Sequence, residues 1–235
     1  MSMTIRTNVA AQRAAGSLGR TNKALSKSLN RISSGMRINN ASDDAAGLGV
    51  ATNLETSIIS ARQGMRNAND GISIIQTSES ASNEVTDILQ RMRELAVQSS
   101  SETLDDDERS YIQDEFVQLS DEVERIAQVT EFNGISLANN TQTSLDVQVG
   151  IQNASTSRVT ISLGDLRSTA LGVSTTAVSL GSVTSAQAAI DALDSALDSV
   201  NSFRSDLGSV QNRLDSAINN AQTYVEALSG AESQI

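Results

Sequence analysis

Apolar residues along this chain return in alternating steps of four and three. Leu54, Ile58, Ala61, Met65, Ala68, Ile72 and Ile75 set the rhythm, and such spacing draws one narrow stripe along a helix, the width that a coiled-coil seam buries. The same alternation runs through Ala11, Ala15, Leu18, Leu25, Leu29, Ile32 and Met36, with Asn22 in line, and again from Ala186 to Ile235. A shorter stripe joins Ile112, Phe116, Leu119, Val123 and Ile126. The pattern predicts a mainly α fold, an elongated bundle of long coiled-coil-like helices that bury a stripe and little else.

The breaks divide these stripes. Helical period in the first segment persists to about Met36 and fails at Ser33-Ser34-Gly35, where glycine readily leaves the helical conformation. The polar stretch Arg37 to Asp44 follows, and Asp43 or Asp44 suits the N-cap of the next helix. That helix is predicted over 44–99, roughly 75 Å of rod at 1.5 Å per residue. Its seam continues through Ser78, Ala81, Val85, Ile88, Met92 and Leu95. The two successive steps of three at 75, 78 and 81 predict a stammer or a change of packing partner near Ser78. Asp105, Asp106, Asp107 and Glu108 then place negative charge at the start of a helix over 104–130. They lack the glycine and ligand spacing of a calcium loop.

After Phe132-Asn133-Gly134 the period changes from helix to strand. Leu145, Val147, Val149 and Ile151 alternate with polar residues, as do Val159, Ile161 and Leu163, which predicts one β-hairpin over 143–165. A lone hairpin is marginal in water, so its apolar face is expected to lie against the helices. Leu171 to Ser182 reads as a loop or a further short strand. Thr184 and Gln187 have capping-box spacing and open a last helix over 184–235. Arg204, Gln211 and Glu232 fall on its stripe, with Phe203 and Val210 beside the first two and able to rotate into the contact. No cap or change of period stops this helix before Ile235, and it reads as interrupted.

Composition narrows the function. Only 2% of the chain is aromatic and it has no proline, so a thick globular core is disfavoured and long helices run without a built-in break. The absence of cysteine and histidine removes disulfides, thiolate chemistry, the usual general base and the commonest transition-metal ligand. No catalytic, cofactor or metal constellation emerges, and an enzyme is not expected. A net charge of −11 argues against nucleic acid, whose phosphates need clustered cations. The cations Arg6, Arg13, Arg20, Lys23, Lys27, Arg31 and Arg37 precede the first acid, Asp43. That basic start, rich in small residues and without Trp or Phe anchors, points to a partner helix rather than a membrane surface. No apolar run is long enough to span a bilayer, and the N-terminus carries no hydrophobic signal block.

Five blocks at the breaks and caps carry a family likeness: Leu29 to Ile38 (LNRISSGMRI), Asn40 to Leu48 (NASDDAAGL), Arg66 to Ser78 (RNANDGISIIQTS), Ile88 to Ser99 (ILQRMRELAVQS) and Glu131 to Leu137 (EFNGISL). In these blocks and their order the chain resembles bacterial flagellin over essentially its whole length. The resemblance implies an N-terminal inner-tube segment, 1–43, and an outer-tube rod, 44–235, with no variable outer domain. It implies a structural subunit of the flagellar filament, a helical homopolymer for motility, with a filament-junction (hook-associated) protein or another secreted coiled-coil protein as the alternative.

The implied partners are other flagellin subunits, the flagellar export apparatus, a chaperone and a cap, with no membrane insertion. The implied location is the extracellular flagellum, reached through type III export without a cleaved signal peptide. Flagellins also carry a C-terminal helix that pairs with the N-terminal one, and the resemblance marks that helix as missing here. The chain as it stands is therefore expected to be a soluble, elongated monomer. Where the family's receptor-contact pattern matches, Arg91, Leu95 and Glu115 become candidate contacts to a host Toll-like receptor. Asp43, Asp44, Ala45, Ala46 and Gly47 become candidates for inter-domain and subunit packing, their small residues allowing close backbone approach.

Overall fold

A computed structural model describes residues Asn8–Ile235. The chain forms α1 (Val9–Ser34), α2 (Ala45–Ser99), α3 (Asp106–Val129), two short strands β1 (Glu131–Phe132) and β2 (Ile135–Ser136), the hairpin strands β3 (Ser144–Gln148) and β4 (Arg158–Ser162), and α4 (Val183–Gln234). The fold is mainly α, with long helices and a small hairpin. The described residues divide into two compact units, one made of Asn8 to Ile59 with Val225–Ile235, the other of Ser60–Tyr224. The change from inner to outer segment expected at Asp43 thus falls inside the first unit.

Local chemistry explains each start and stop. Asn8 caps α1 by accepting from the Ala11 amide, and Gly35, at φ 70°, closes it with its amide on the Arg31 carbonyl. Asp44 rather than Asp43 caps α2, accepting from the amides of Ala46 and Gly47 at 3.1 and 2.9 Å. Asp105 and Glu108 form a reciprocal capping box at α3, and Asp106, Asp107 and Glu108 occupy its first turn, where the exposed amides favour negative charge. The start of α4 differs from the expectation. Ser182 and Ser185 exchange side chain to backbone hydrogen bonds at 3.2 and 3.1 Å, so the helix opens before Thr184 and the Thr184–Gln187 box is not used.

Ser60–Tyr224 holds two apolar clusters. The larger joins Leu89, Met92 and Ala96 of α2 to Phe116 and Val123 of α3 and Leu193, Ala196 and Val200 of α4. The smaller packs Val147, Val159 and Ile161 of the hairpin against Ala68 and Ile75 of α2 and Leu207, Val210 and Leu214 of α4. The hairpin is antiparallel, with Leu145 opposite Ile161 and Val147 opposite Val159. It sits close on α2 because residue 64 is glycine: a Cβ there would lie 2.3 Å from the Val149 carbonyl oxygen. Asn67 of α2 also donates to the Gln148 carbonyl at 3.0 Å. The alternation ends at the tip, where Ile151 is exposed.

The seam of α2 corrects the expectation of a stammer. Buried positions run Ile75, Ser78, Ser82, Val85, Leu89, Met92, Ala96 and Ser99, an unbroken alternation in which Ser82 takes the place expected of Ala81. The packing partner does change there, from the hairpin cluster to the α3 cluster. In α4 Val210 is buried in place of Gln211, and Phe203 packs on both clusters beside a half-buried Arg204.

The segment 165–182 makes no strand beyond a single bridge, Asn139 to Asp165. Its Leu166, Val173, Val178 and Leu180 plug into the larger cluster. Ser99 holds it by donating to the Leu180 carbonyl at 2.7 Å, and Ser120 by donating to that of Val173 at 3.1 Å.

Candidate functional site

Burial separates the stretches of α2, α3 and α4 that pack on one another from α1, which does not. No residue of α1 is buried. Its stripe of Leu18, Leu25, Leu29 and Ile32 lies open, Ile32 at 79% exposure, although the period matches that of α2. Contiguous exposed apolar surface of this kind marks an interaction face. The described cations of α1, Arg13, Arg20, Lys23, Lys27 and Arg31, fall by helical rotation on the side away from Leu18 and Leu25. The helix thus carries an apolar seam backed by a positive face.

The junction residues sit at the end of the α1–α2 connection. Asp43 pairs with Lys27 at 2.5 Å and accepts from the Asn39 amide at 3.4 Å. The Lys27 hydrogen bond holds its carboxyl below the ordinary aspartate range against a smaller opposing effect of burial, and the Asn39 amide and the Lys27 charge add lesser shares. Asp44 is the cap already described. Ala45 and Ala46 are exposed. Gly47 is tight: a Cβ would come within 2.6 Å of both the Asp44 carboxylate and Ile38 Cδ1. These residues fasten the turn to the first round of α2, with glycine where the turn folds back most closely.

Arg91 and Glu115 meet across α2 and α3. The guanidinium donates through Nε and Nη2 to one Glu115 oxygen at 3.1 and 2.9 Å and through Nη1 to Glu94 at 2.9 Å. Glu115 first, then Glu94, raises the arginine's pKa. Both Arg91 and Glu115 face solvent, at about half their side-chain exposure. Leu95 does not join them at the surface. It is 2% exposed and belongs to the larger cluster, so it braces the helix beneath Arg91 rather than offering an apolar knob.

One buried cation was not singled out from the sequence. Arg109, 5% exposed, donates to the carbonyls of Ser99, Ser101 and Leu104. It thereby satisfies the carbonyl of Ser99, which ends α2 without an intrahelical donor, and two carbonyls of the connection that follows, and it sits at the negative end of that helix. The only signal for it was its place on the Ile112–Phe116 face one turn earlier. The second missed feature is the β1–β2 ladder, in which Asn133 and Gly134 adopt φ 51° and 78°. Asn-Gly is the pair that a tight hairpin favours.

Among the described residues no group of three or more carboxylates, histidines or cysteines is placed to hold a metal ion, and no helix is long and apolar enough to cross a membrane. What the chain displays is packing surface, which defines a structural helical protein. A profile of the bacterial flagellin N-terminal helical region matches residues 5–143, and one of the bacterial flagellin C-terminal helical region matches 190–235. The chain belongs to the bacterial flagellin family, a family of structural proteins and not of enzymes.

It is 44% identical over 168 residues to polar flagellin B/D of Vibrio parahaemolyticus, covering 72% of this chain and 44% of that protein. Flagellin E of Vibrio cholerae is 44% identical over 171 residues, 73% of this chain and 45% of its own. The chain thus spans less than half the length of these relatives. The crystal structure of Bacillus cereus flagellin aligns at TM-score 0.58 with 31% identity, over 66% of this chain and 88% of that one. A putative flagellar hook-associated protein from Vibrio parahaemolyticus shares the fold at TM-score 0.69 but only 16% identity, over 83% of this chain and all of its own.

Proposed function

We propose that the protein is a structural subunit that polymerises into the flagellar filament. The observation that carries this reading is the uncovered stripe of α1 in a chain whose α2, α3 and α4 seams in Ser60–Tyr224 are filled. A stripe of that period is matched by another helix, and contacts between like subunits that do not close on themselves generate a helical filament. The principal partners are other flagellin subunits. The export apparatus, its chaperone and the filament cap are further partners on this reading. The location is the extracellular flagellum, reached without a cleaved signal peptide. The Asp43–Gly47 turn contributes at subunit contacts by holding the start of α2 in one fixed geometry.

The test is filament formation in a bacterium lacking its own flagellins and supplied with the complete gene. Leu25→Asp with Ile32→Asp is expected to abolish filaments in electron micrographs while leaving the thermal melt of the purified protein unchanged. Normal filaments from that variant overturn the reading.

A host Toll-like receptor is a second partner on this proposal, engaged through the exposed Arg91–Glu115 pair with Leu95 as its support. Arg91→Ala is expected to weaken receptor signalling in a reporter cell, with the fold intact by circular dichroism. An unchanged dose response removes Arg91 from that surface.

A further inference from the structure

The seam of α2 is apolar at both ends and polar in the middle. Between Ile75 and Val85 its fully buried positions are Ser78 and Ser82. The hydroxyl of Ser82 turns back to the Ser78 carbonyl and that of Thr86 to the Ser82 carbonyl, both at 2.8 Å. These bonds stay within the helix and tie it to nothing else. The Ser78 hydroxyl has no protein partner at all.

Two contacts give the register of the opposite helix. A Cβ on Gly71 would meet Leu214 at 3.2 Å, and Arg93 pairs with Asp194 at 2.6 Å. Interpolating between them along antiparallel helices brings Arg204 level with Ser82. Arg204 is half-buried, makes no ion pair among the described residues, and keeps a buried Nε without a protein partner. A layer of serines and an unpaired arginine therefore separates the two apolar clusters. Phe203 is the aromatic side chain that touches both, and Gly164 makes room for it, since a Cβ there would lie 2.8 Å from the ring.

We propose that this polar layer is a joint at which the hairpin end of Ser60–Tyr224 opens as its own cooperative unit while the α3 end stays closed. Cooperative opening spreads through contiguous apolar contact and stops where that contact is thin. The hairpin cluster has 8 buried members against 20 in the other, so the hairpin end is the one that opens more often. Phe203 is the coupling between the two. The joint is a property of this unit and holds whether or not the chain polymerises.

Native-state amide exchange of the intact protein in low urea, read by mass spectrometry, tests it. Amides of the hairpin and of the α2 and α4 turns around Ile75 and Leu207 are expected to exchange together, through an opening at least about tenfold more frequent than that of the turns around Leu89, Phe116 and Leu193. Ser78→Ala removes the unpaired hydroxyl and is expected to slow the hairpin-end group by roughly tenfold. Val123→Ala, whose side chain packs in the larger cluster only, is expected to speed that cluster's group while leaving the hairpin-end group unchanged. Exchange of both ends as one group, or equal shifts of both ends in Val123→Ala, overturns the joint.

Discussion

Helices α1 and α2 carry nearly the same four-and-three stripe and meet opposite fates. Along α2 the stripe is buried or half-buried from Ile58 to Ser99, and along α1 no residue is buried. Period alone therefore reports that a face is able to pack, not what packs on it. The cover of α2 comes from distant parts of the chain: the hairpin, α3, α4 and the 165–182 segment. For α1 the account assigns that role to neighbouring subunits, and substitutions on the two stripes should separate the cases.

The largest effect is expected where α2's cover is thickest. Phe116 is fully buried, and Phe116→Ala should cost about 3–5 kcal/mol in urea unfolding. A loss below about 1 kcal/mol would show that the α3 cluster is not the core it is taken to be. Next comes the buried cation at the end of α2. Arg109→Met keeps the apolar stem but strips the donors from the Ser99, Ser101 and Leu104 carbonyls, and should cost about 2–3 kcal/mol by the same measurement. Retained stability would mean that these carbonyls do not need it.

Gly64→Ala tests the close approach of hairpin to helix. Its Cβ would strike the Val149 carbonyl, and a loss of about 1–3 kcal/mol is expected. Leu25→Ala on the open stripe of α1 should change stability by less than about 0.5 kcal/mol, because nothing packed is removed.

The smallest effect is a pH dependence. The Arg93 hydrogen bond holds Asp194 below its ordinary range against a lesser opposing effect of burial, and the arginine's charge adds a smaller share. A carboxyl whose folded pKa is depressed adds stability above its unfolded value, near 3.8, and loses it as pH falls through the folded value. The Tm gap between the protein and Asp194→Asn should therefore be small and positive at neutral pH and close as pH falls below the ordinary aspartate range. A gap that widens in acid contradicts that pairing.

Much of this was legible because local chemistry and period agree at most helix ends. Gly35, the Asp43–Asp44 pair and the acidic run Asp105–Glu108 announce helix ends that the structure uses, and the alternation around Val147 and Ile161 marks a hairpin with one buried face. The misreadings arose where two residues competed for one role. Ser82 and Ala81 both continue a seam from Ser78, and an apolar preference selects the alanine, whereas an unbroken rhythm buries the serine. Ser182 and Thr184 both begin capping sequences, and the earlier one wins by forming the reciprocal pair with Ser185. Leu95 keeps the seam place that its period gave it, one turn from the exposed Arg91. Arg109 was illegible because a cation beside acids at a helix start reads as solvated until the end of α2 is seen above it.

The most direct test of the central claim is amide exchange along α1 in the free protein and in its filaments. The account expects rapid exchange from Val9 to Ser34 in the free protein, where the stripe has no cover, and at least about a hundredfold slowing once neighbours close over it. Strong protection of α1 in the free protein, or equal rates in both states, would contradict the assignment of that face to neighbouring subunits.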